Sequence, residues 1–274
     1  MDRTRPGAPP VYTPRTPRVV AARRLQRRRE REQTGLFLAE GPQAVREALT
    51  RPDCVVEVFA SERGIDRHPD LLPVDAPVSL VTDEALAALT ETVQPQGVVA
   101  VCRQPDLALG AALARRPRLV AILVDIRDPG NAGTVLRTAD AAGAAAVVFA
   151  GEAVDPYNGK AVRASAGSLF HVDVVRAPDP ADVIDAVRRA GIAVLAADPY
   201  GETDLDTLAD AGGLDGPTAW LFGSEAHGLP AVLSGAADAR VRVPIHGRAE
   251  SLNLAAAAAV CLYASAKAHR GGPA

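Results

Sequence analysis

The sequence predicts an α/β protein whose larger, C-terminal part is a mainly parallel sheet covered by helices on both faces. In that part, short apolar segments alternate with segments of helical length, as at 119–124, 145–149 and 193–197. Parallel strands are apolar along their whole length because helices cover both sides of the sheet. The chain of 274 residues exceeds one typical domain, and no apolar run reaches the ~18 residues that span a bilayer.

The N-terminal part is predicted to form a smaller α/β/α domain over 18–104. Its first element is a helix from Val19 to about Thr34, with Val19, Val20 and Leu25 as apolar anchors. Short periodic patterns then predict further elements. These are strand 36–38, helix 41–49, strand 55–60, strand 80–81, helix 83–89 and strand 98–102.

Two proline-containing segments delimit the domains. Residues 1–17 hold five prolines and are predicted to be disordered or extended. Residues 105–117 contain a short alanine-rich helix and are predicted to link the first domain to a second domain at 118–274. The second domain is predicted to contain strand 119–124, a helix from about Thr134 to Ala142, strands 145–149 and 172–175, helix 180–190, strands 193–197 and 219–222, and helix 254–268.

The net charge of −3 conceals a strongly basic N-terminus. Residues 1–34 carry ten arginines against three acidic residues, which leaves +7 there and −10 on the remaining chain. A basic end on an acidic body is typical of proteins that bind a polyanion, although a solvated tail explains the charge equally well. The candidate phosphate contacts of this segment are Arg23, Arg24, Arg27 and Arg28.

The three cysteines, Cys54, Cys102 and Cys261, are far apart and lie in apolar stretches without a CxxC motif. They are predicted to be buried thiols in a reducing compartment, with no metal site. The N-terminus lacks the apolar segment of a secretory signal. The sequence therefore predicts a cytoplasmic protein that is not associated with a membrane.

Three loops of the second domain are rich in glycine and polar residues: two follow predicted strands, and the third leads into the final helix. In an open parallel sheet, ligands bind beyond the carboxyl ends of the strands. In the first loop, Asn131 and Gly133 are predicted to form a left-handed turn before a helix whose N-terminus binds an anion. Arg137, one turn into that helix, is predicted to reach the same anion. A plain strand–helix turn with a surface arginine remains an alternative.

The second and third loops add a carboxylate, a glycine and an amide. Gly223 ends a strand and is predicted to let a ligand approach the backbone, with Glu225 beside it. Ser251 is predicted to cap the final helix, and Asn253 is a polar residue among apolar neighbours. A structural capping network would also explain Ser251. None of the loops matches a dinucleotide-binding or Walker A motif, which argues against a Rossmann-type oxidoreductase.

Taken together, the loops resemble the SpoU (TrmH-like) family of RNA 2′-O-ribose methyltransferases in the SPOUT superfamily. The resemblance covers about 117–268, and FLAEG at 37–41 is similar to the ribosomal-protein-like substrate-binding domain of many members. The segments that carry the main resemblance are NAGTVLRTADAAG from Asn131, KAVRASAGSLFHVDVV from Lys160, LFGSEAHGL from Leu221 and VPIHGRAESLNLAAAAAVCLY from Val243.

The resemblance implies a trefoil-knotted C-terminal domain, S-adenosylmethionine as methyl donor and a homodimer. It implies a catalytic surface of Asn131, Arg137, Glu225, Ser251 and Asn253. It further implies cofactor contacts at Gly223, Val243, Ile245 and Leu252. Structured RNA is the expected partner, and Lys160 and Arg163 join the N-terminal arginines as candidate RNA contacts.

The expected reaction is methylation of a ribose 2′-hydroxyl, most plausibly in 23S ribosomal RNA. A guanidinium stays protonated above pH 12, so Arg137 is expected to bind the adjacent phosphate and favour the ribose alkoxide. The proton would leave to water, to a phosphate oxygen or to Glu225. Two alternatives stay open: a transfer RNA substrate, and a non-catalytic RNA-binding factor in ribosome assembly.

Overall fold

The computed structural model describes residues 10–71 and 76–271. The chain divides into two compact units, one containing residues up to Gln104 together with 157–163, and the other containing 105–156 and the residues from Ala164 onward. The predicted α/β class is confirmed. Among the described helices, none has the length and apolar character needed to cross a membrane.

The first unit is built on a four-stranded sheet. Its strands are β1 (Leu36–Glu40), β2 (Val55–Ala60), β3 (Val78–Leu80) and β4 (Val98–Arg103), in the order β1-β4-β2-β3. β4 is antiparallel to both β1 and β2, and β3 is parallel to β2. Its named helices are α1 (Pro17–Arg24), α2 (Arg28–Thr34), α3 (Pro42–Thr50), α4 (Glu62–Arg67) and α5 (Asp83–Leu89).

The single helix predicted from Val19 to Thr34 is wrong, because the chain breaks between α1 and α2. Leu25 is buried there, and Arg27 adopts an extended conformation. Arg31 is only 2% exposed and donates to the carbonyl oxygens of Leu25 (2.8 Å) and Gln26 (2.9 Å). The buried guanidinium thus satisfies carbonyl groups that a continuous helix would have used for its own hydrogen bonds.

Part of the predicted N-terminal tail is held in an extended conformation. The amide of Tyr12 donates to the Leu80 carbonyl (2.8 Å), and the Thr82 amide donates to the Tyr12 carbonyl (3.0 Å). Residues 1–9 of the predicted tail lie outside the described residues.

The second unit contains a seven-stranded sheet in which every pairing is parallel, as predicted. The order is β7-β6-β5-β10-β8-β11-β9. The strands are β5 (Leu119–Val124), β6 (Ala146–Ala150), β7 (Asp173–Ala177), β8 (Ala193–Ala197), β9 (Thr203–Asp204), β10 (Thr218–Phe222) and β11 (Ala239–Arg242). The sequence analysis did not predict β9 and β11, which are short and carry charged residues.

Seven further helices follow the first unit's α5 within the described ranges. They are α6 (Leu109–Ala114), α7 (Pro129–Ala141), α8 (Gly159–Ser165), α9 (Pro180–Arg189), α10 (Leu205–Asp210), α11 (Ala231–Ala236) and α12 (Leu254–Gly271).

Helices pack on the sheet of the second unit. The apolar residues of α9 and the buried Ala112 of α6 join a core with alternate residues of β5, β6, β8 and β10. α7 and α12 pack against each other, and α12 also contacts β10 and β5. Where α12 packs on β10, the Trp220 indole donates to the Ser265 hydroxyl (2.9 Å), so the buried indole N–H is satisfied.

The segment 105–117, predicted to be a linker, packs on the edge of this sheet. The Leu107 amide donates to the Val174 carbonyl (2.9 Å), and Asp106 pairs with Arg176. Arg115 pairs with Asp173 (2.8 Å). This segment therefore covers the exposed edge of β7.

The cysteines are buried and unbridged, as the sequence predicts. Burial raises the pKa of the Cys261 thiol to about 12. Burial and a hydrogen bond with Cys54 raise the pKa of Cys102 well above its ordinary value. Cys102 and Cys261 therefore stay protonated near neutral pH.

Two helix starts differ from the sequence prediction. α7 begins at Pro129 and not at Thr134, because the Asp128 carboxylate accepts from the Asn131 amide (2.8 Å) and Pro129 suits the first turn. Asn131 and Gly133 are thus helical, and the predicted left-handed turn at these residues is wrong. The residue with positive φ in this region is Asp125, at 52°.

α12 begins at Leu254 as predicted, but Asn253 and not Ser251 provides the cap. The Asn253 side-chain oxygen accepts from the Ala255 amide (2.9 Å), and its carbonyl accepts from the Ala257 amide (2.9 Å). Ser251 is exposed and two residues too early.

Asn253→Ala is expected to lower the free energy of unfolding of the second unit by about 1 kcal/mol, because the Ala255 amide loses its acceptor. Ser251→Ala is the matched control and should change it by less than about 0.5 kcal/mol. Urea unfolding followed by the fluorescence of Trp220, the one tryptophan of the chain, measures both. Equal losses in the two variants would contradict this assignment of the cap.

Candidate active site

Side chains from three separate segments meet at one edge of the second unit's sheet. β5, β10 and β11 are parallel members of this sheet, so their carboxyl ends lie at the same edge. The Asn131 side-chain amide donates to a Glu225 carboxylate oxygen at 2.5 Å. The Asn253 amide donates to the Asn131 side-chain oxygen at 3.4 Å. The three loops singled out in the sequence therefore converge.

Asn131 is the central member of this cluster. Its backbone amide is fixed by Asp128, its side-chain nitrogen by Glu225 and its side-chain oxygen by Asn253. An amide is suited to this position because it donates and accepts at the same time. The arrangement orients the Glu225 carboxylate while leaving that residue exposed.

The anion site predicted at the start of α7 is wrong, because the chain's own Asp128 carboxylate caps that helix. Arg137 lies two turns into α7, rather than one, since the helix starts earlier than predicted. Its side chain is exposed, and within 10–71 and 76–271 no hydrogen bond or ion pair engages it. Its guanidinium is therefore available to an anion from outside the protein.

The loop after β10 closes on itself. The Ser224 amide donates to the Gly228 carbonyl (3.2 Å), and the Gly228 amide donates to the Ser224 carbonyl (2.8 Å). A Cβ on Gly223 would lie 2.2 Å from the Gly228 carbonyl carbon. Glycine is thus required at 223 by the loop's own backbone, which corrects the prediction that a ligand needs the space. The closed loop holds Glu225 near the edge of the sheet.

The loop from Val243 to Asn253 combines exposed apolar side chains with backbone amides that are unpaired within the described residues. Ile245 and Leu252 are 37% and 39% exposed, so both present apolar surface to solvent. Among the described residues, none forms a hydrogen bond with the backbone amides of 246–252. Apolar walls next to unpaired backbone groups fit an adenosine and an amino-acid group. Val243, Ile245 and Leu252, with Gly223 at the same edge of the sheet, therefore suit the cofactor that the resemblance implies.

Ser251 does not join the Asn131 cluster. It lies on the same loop as Leu252 and Asn253, is exposed, and makes no described hydrogen bond. Its predicted catalytic role stays a prediction.

The candidate RNA-binding arginines of the first unit differ in whether a carboxylate of the protein already pairs with them. Arg23, Arg24 and Arg27 are exposed and have no ion-pair partner in the described parts of the chain. Arg28 pairs with Glu32 at 2.7 Å. The first three arginines are therefore the better candidates for binding phosphate.

Arg163 is engaged by two carboxylates. Its guanidinium lies 3.0 Å from Glu40 and 3.2 Å from Glu91, and its side chain is 28% exposed. The predicted role of Arg163 in binding RNA is therefore weakened, because its charge is already neutralised. Lys160 lies in the same helix, α8, and its backbone amide donates to the Asn158 side chain (2.9 Å).

The turn after β8 was not singled out in the sequence. The Asp198 carboxylate accepts from the Tyr200 amide (2.9 Å), the Ser234 hydroxyl (3.1 Å) and the Arg240 guanidinium (3.1 Å). Burial raises the pKa of Asp198, but these three hydrogen bonds outweigh it and leave the pKa below its ordinary value. The signal in the sequence was Asp198-Pro-Tyr-Gly directly after an apolar strand.

Comparison with known proteins gives consistent results for both parts of the chain. Residues 118–263 match the model of the SpoU rRNA Methylase family, and 16–100 match an MRM3-like substrate binding domain. The chain is 36% identical over 245 residues to the 23S rRNA (guanosine(2553)-2′-O)-methyltransferase RlmP of Bacillus subtilis, covering 88% of this chain and 92% of RlmP.

Solved structures agree with the sequence relatives. An AdoMet-bound rRNA methyltransferase from Sinorhizobium meliloti has a TM-score of 0.82 and 32% identity, and the match covers 94% of this chain and 98% of that one. The SpoU methyltransferase AviRb from Streptomyces viridochromogenes, in complex with AdoMet, has a TM-score of 0.81 and 31% identity, covering 94% of this chain and 100% of AviRb.

The family model covers more than half of the chain and includes all three loops that converge on Asn131. The chain therefore belongs to the SpoU rRNA methylase family.

Proposed function

We propose that this protein methylates a ribose 2′-hydroxyl of 23S ribosomal RNA with S-adenosylmethionine as methyl donor. The observation that carries the proposal is the contact of Asn131 with both Glu225 and Asn253, on the helix that presents the unpaired Arg137. The names of its relatives support the substrate, since RlmP is named for 2′-O-methylation of 23S rRNA. A ribosomal RNA substrate and three unbridged cysteines support the proposal that the protein acts in a reducing compartment such as the cytoplasm.

S-adenosylmethionine, when bound, supplies a methyl group on a sulfonium that an oxygen nucleophile can displace in line. The exposed Ile245 and Leu252 would hold its apolar parts, and the backbone amides of 246–252, unpaired among the described residues, would bind its polar atoms. Two structural neighbours carry AdoMet. The task left to the side chains of this protein is to prepare and orient the ribose oxygen.

Arg137 and Glu225 divide that task. Arg137 binds the phosphate next to the target ribose and stabilises negative charge as it develops on the 2′-oxygen. It does not accept the proton, since a guanidinium stays protonated in proteins. Glu225 is oriented by Asn131 through one carboxylate oxygen, which leaves the other oxygen to accept the hydroxyl proton. The hydroxyl proton would pass to Glu225 as the 2′-oxygen takes the methyl group and the bond from that methyl group to sulfur breaks.

Arg137→Ala is expected to lower kcat/KM for an unmodified 23S rRNA transcript by about 100-fold or more, because charge stabilisation in the transition state is lost. The decrease in kcat/KM should be smaller for Arg137→Lys if the positive charge alone is sufficient. Methyl transfer from radiolabelled S-adenosylmethionine measures both.

Arg189→Ala is the matched control, since Arg189 is an exposed arginine on α9, and it should retain wild-type activity. Calorimetry should find unchanged cofactor affinity in all three variants. Wild-type turnover by Arg137→Ala would remove this residue from the mechanism.

The basic surface of Arg23, Arg24 and Arg27 supplies phosphate contacts to the RNA. Deletion of 1–34 is a poor test, because Val19 of α1 and Leu25, directly after it, are buried in the core of the first unit. Replacement of the exposed arginines keeps that core intact.

The triple variant Arg23→Ala, Arg24→Ala and Arg27→Ala should weaken RNA binding and reduce the slope of log K against log salt by about 2 to 3, since up to three phosphate contacts are lost. Filter binding at several salt concentrations measures the slope. A double alanine variant at Arg63 and Arg67, exposed on α4, is the control. The same loss of slope per arginine in that control would contradict a localised surface.

The protein acts as a homodimer that buries one side of α12. Val260 and Tyr263 are 41% and 52% exposed on this helix, although its neighbours Cys261 and Leu262 are buried. Ala256 continues the same exposed stripe toward Leu252. An apolar stripe that runs into the cofactor loop is suited to a second copy of the chain, since most soluble oligomers are symmetric homo-oligomers.

Tyr263→Glu is expected to convert the dimer to a monomer, because it would bury an unpaired carboxylate in the interface. Val232→Glu places the same residue at an apolar position that is 82% exposed on α11, and should stay dimeric. Sedimentation velocity at micromolar concentration distinguishes the two states. A monomeric wild-type protein, or a dimeric Tyr263→Glu variant, would contradict the assignment.

A further inference from the structure

Aromatic side chains are scarce in this protein, and one of them is left almost fully in solvent. The chain has ten: five Phe, four Tyr and one Trp. Seven are buried, namely Phe37, Phe59, Phe149, Tyr157, Phe170, Trp220 and Phe222. Of the other three, Tyr12 lies under the Arg18 guanidinium, Tyr263 is 52% exposed on α12, and Tyr200 is 86% exposed, more than any other aromatic residue. Core packing does not explain why one of so few aromatic side chains is exposed.

The position of Tyr200 provides one. It lies in the turn after β8, and β8 is hydrogen-bonded to β10 on one side and to β11 on the other. The turn is therefore at the sheet edge from which the Glu225 loop and the cofactor loop also emerge. Neighbouring strands are about 4.8 Å apart, so the end of β8 is about 5 Å from that of β10 and about 10 Å from that of β5. This is within the reach of one nucleotide and its neighbour.

The turn that carries Tyr200 is rigid. The Asp198 carboxylate binds the Tyr200 amide, Ser234 of α11 and Arg240 of β11 at once. A Cβ on Gly201 would lie 2.5 Å from the Arg240 carbonyl oxygen, so the turn is packed tightly on β11. Tyr200 contributes only backbone atoms to these contacts. Its ring therefore projects from the turn and is not needed to stabilise it.

We infer that Tyr200 is a substrate-positioning residue whose ring stacks on an unpaired base of the RNA, at or next to the methylated nucleotide. The inference rests on the proposed function and extends it to a base contact. Proteins that recognise unpaired RNA commonly stack the bases on exposed aromatic rings. Because hydrogen bonds already hold the backbone of the turn, binding does not have to order the loop that carries the ring. Stacking also tolerates any base, so this contact positions the nucleotide without specifying its identity.

The test compares three variants that all keep the backbone contacts of the turn. Tyr200→Ala should weaken binding of an unmodified 23S rRNA transcript about 5- to 100-fold, the range expected for the loss of one stacked base. Its KM for the transcript should rise by a similar factor, with a smaller change in kcat. Tyr200→Phe should bind and react like the wild type, because it keeps the ring. Val232→Ala, which removes an equally exposed apolar side chain without a ring, should have no effect.

The Tyr200 ring could stack on an RNA base or on the adenine of S-adenosylmethionine, and calorimetric titration with S-adenosylmethionine distinguishes the two. The cofactor affinity should be the same in Tyr200→Ala and the wild type. A loss of cofactor affinity with unchanged RNA binding would overturn the inference and assign the ring to the adenine. Wild-type RNA affinity in Tyr200→Ala, or an equal loss in Tyr200→Phe, would overturn it as well. Because RNA affinity is measured without turnover, a wild-type protein that fails to methylate refutes the proposed function separately.

Discussion

The side-chain amide of Asn131 is the contact on which the candidate active site depends. It joins α7 to the loop after β10 through Glu225, and to the start of α12 through Asn253. The carboxylate and the two amides come from positions 94 and 122 residues apart along the chain. Parallel strands make this possible, since every carboxyl end of the sheet opens on the same edge. The amide then favours one arrangement of the loops, because its nitrogen donates to the carboxylate while its oxygen accepts from Asn253.

The distribution of ion pairs explains which arginines are available for function. Arg115, Arg176, Arg188 and Arg240 each face a carboxylate of the second unit, and each stabilises a sheet edge or a turn. Arg163 is held by two carboxylates of the first unit. Arg137 and the trio Arg23, Arg24 and Arg27 differ from these, because their charge is not neutralised within the described residues. An unpaired, exposed arginine has its donors free for the planar contacts that phosphate groups offer.

Local chemistry, which a short stretch of sequence reveals, predicted many of the elements of both units. β2, β5 and α5 have the predicted limits, because an apolar run or a Thr cap fixes them without help from the rest of the chain. The errors occur where a nearby side chain can take over a helical hydrogen bond, so that the local pattern allows more than one outcome. The break between α1 and α2 depends on a guanidinium that turns back from Arg31. The start of α7 depends on whether Asp128 or a later residue caps the helix, and both fit the pattern.

The sequence by itself determined the α/β class, the parallel sheet, the buried thiols and the three loops that hold the candidate site, because periodicity, composition and glycine-rich turns are local properties. Only the tertiary structure decided which side chains in those loops touch. It placed Asn131, Glu225 and Asn253 together and left Ser251 outside, it neutralised Arg163, and it exposed Tyr200 at the sheet edge. The physical reason is that hydrogen bonds and ion pairs depend on distances of about 3 Å, and such distances between remote residues exist only after the sheet and its covering helices have packed.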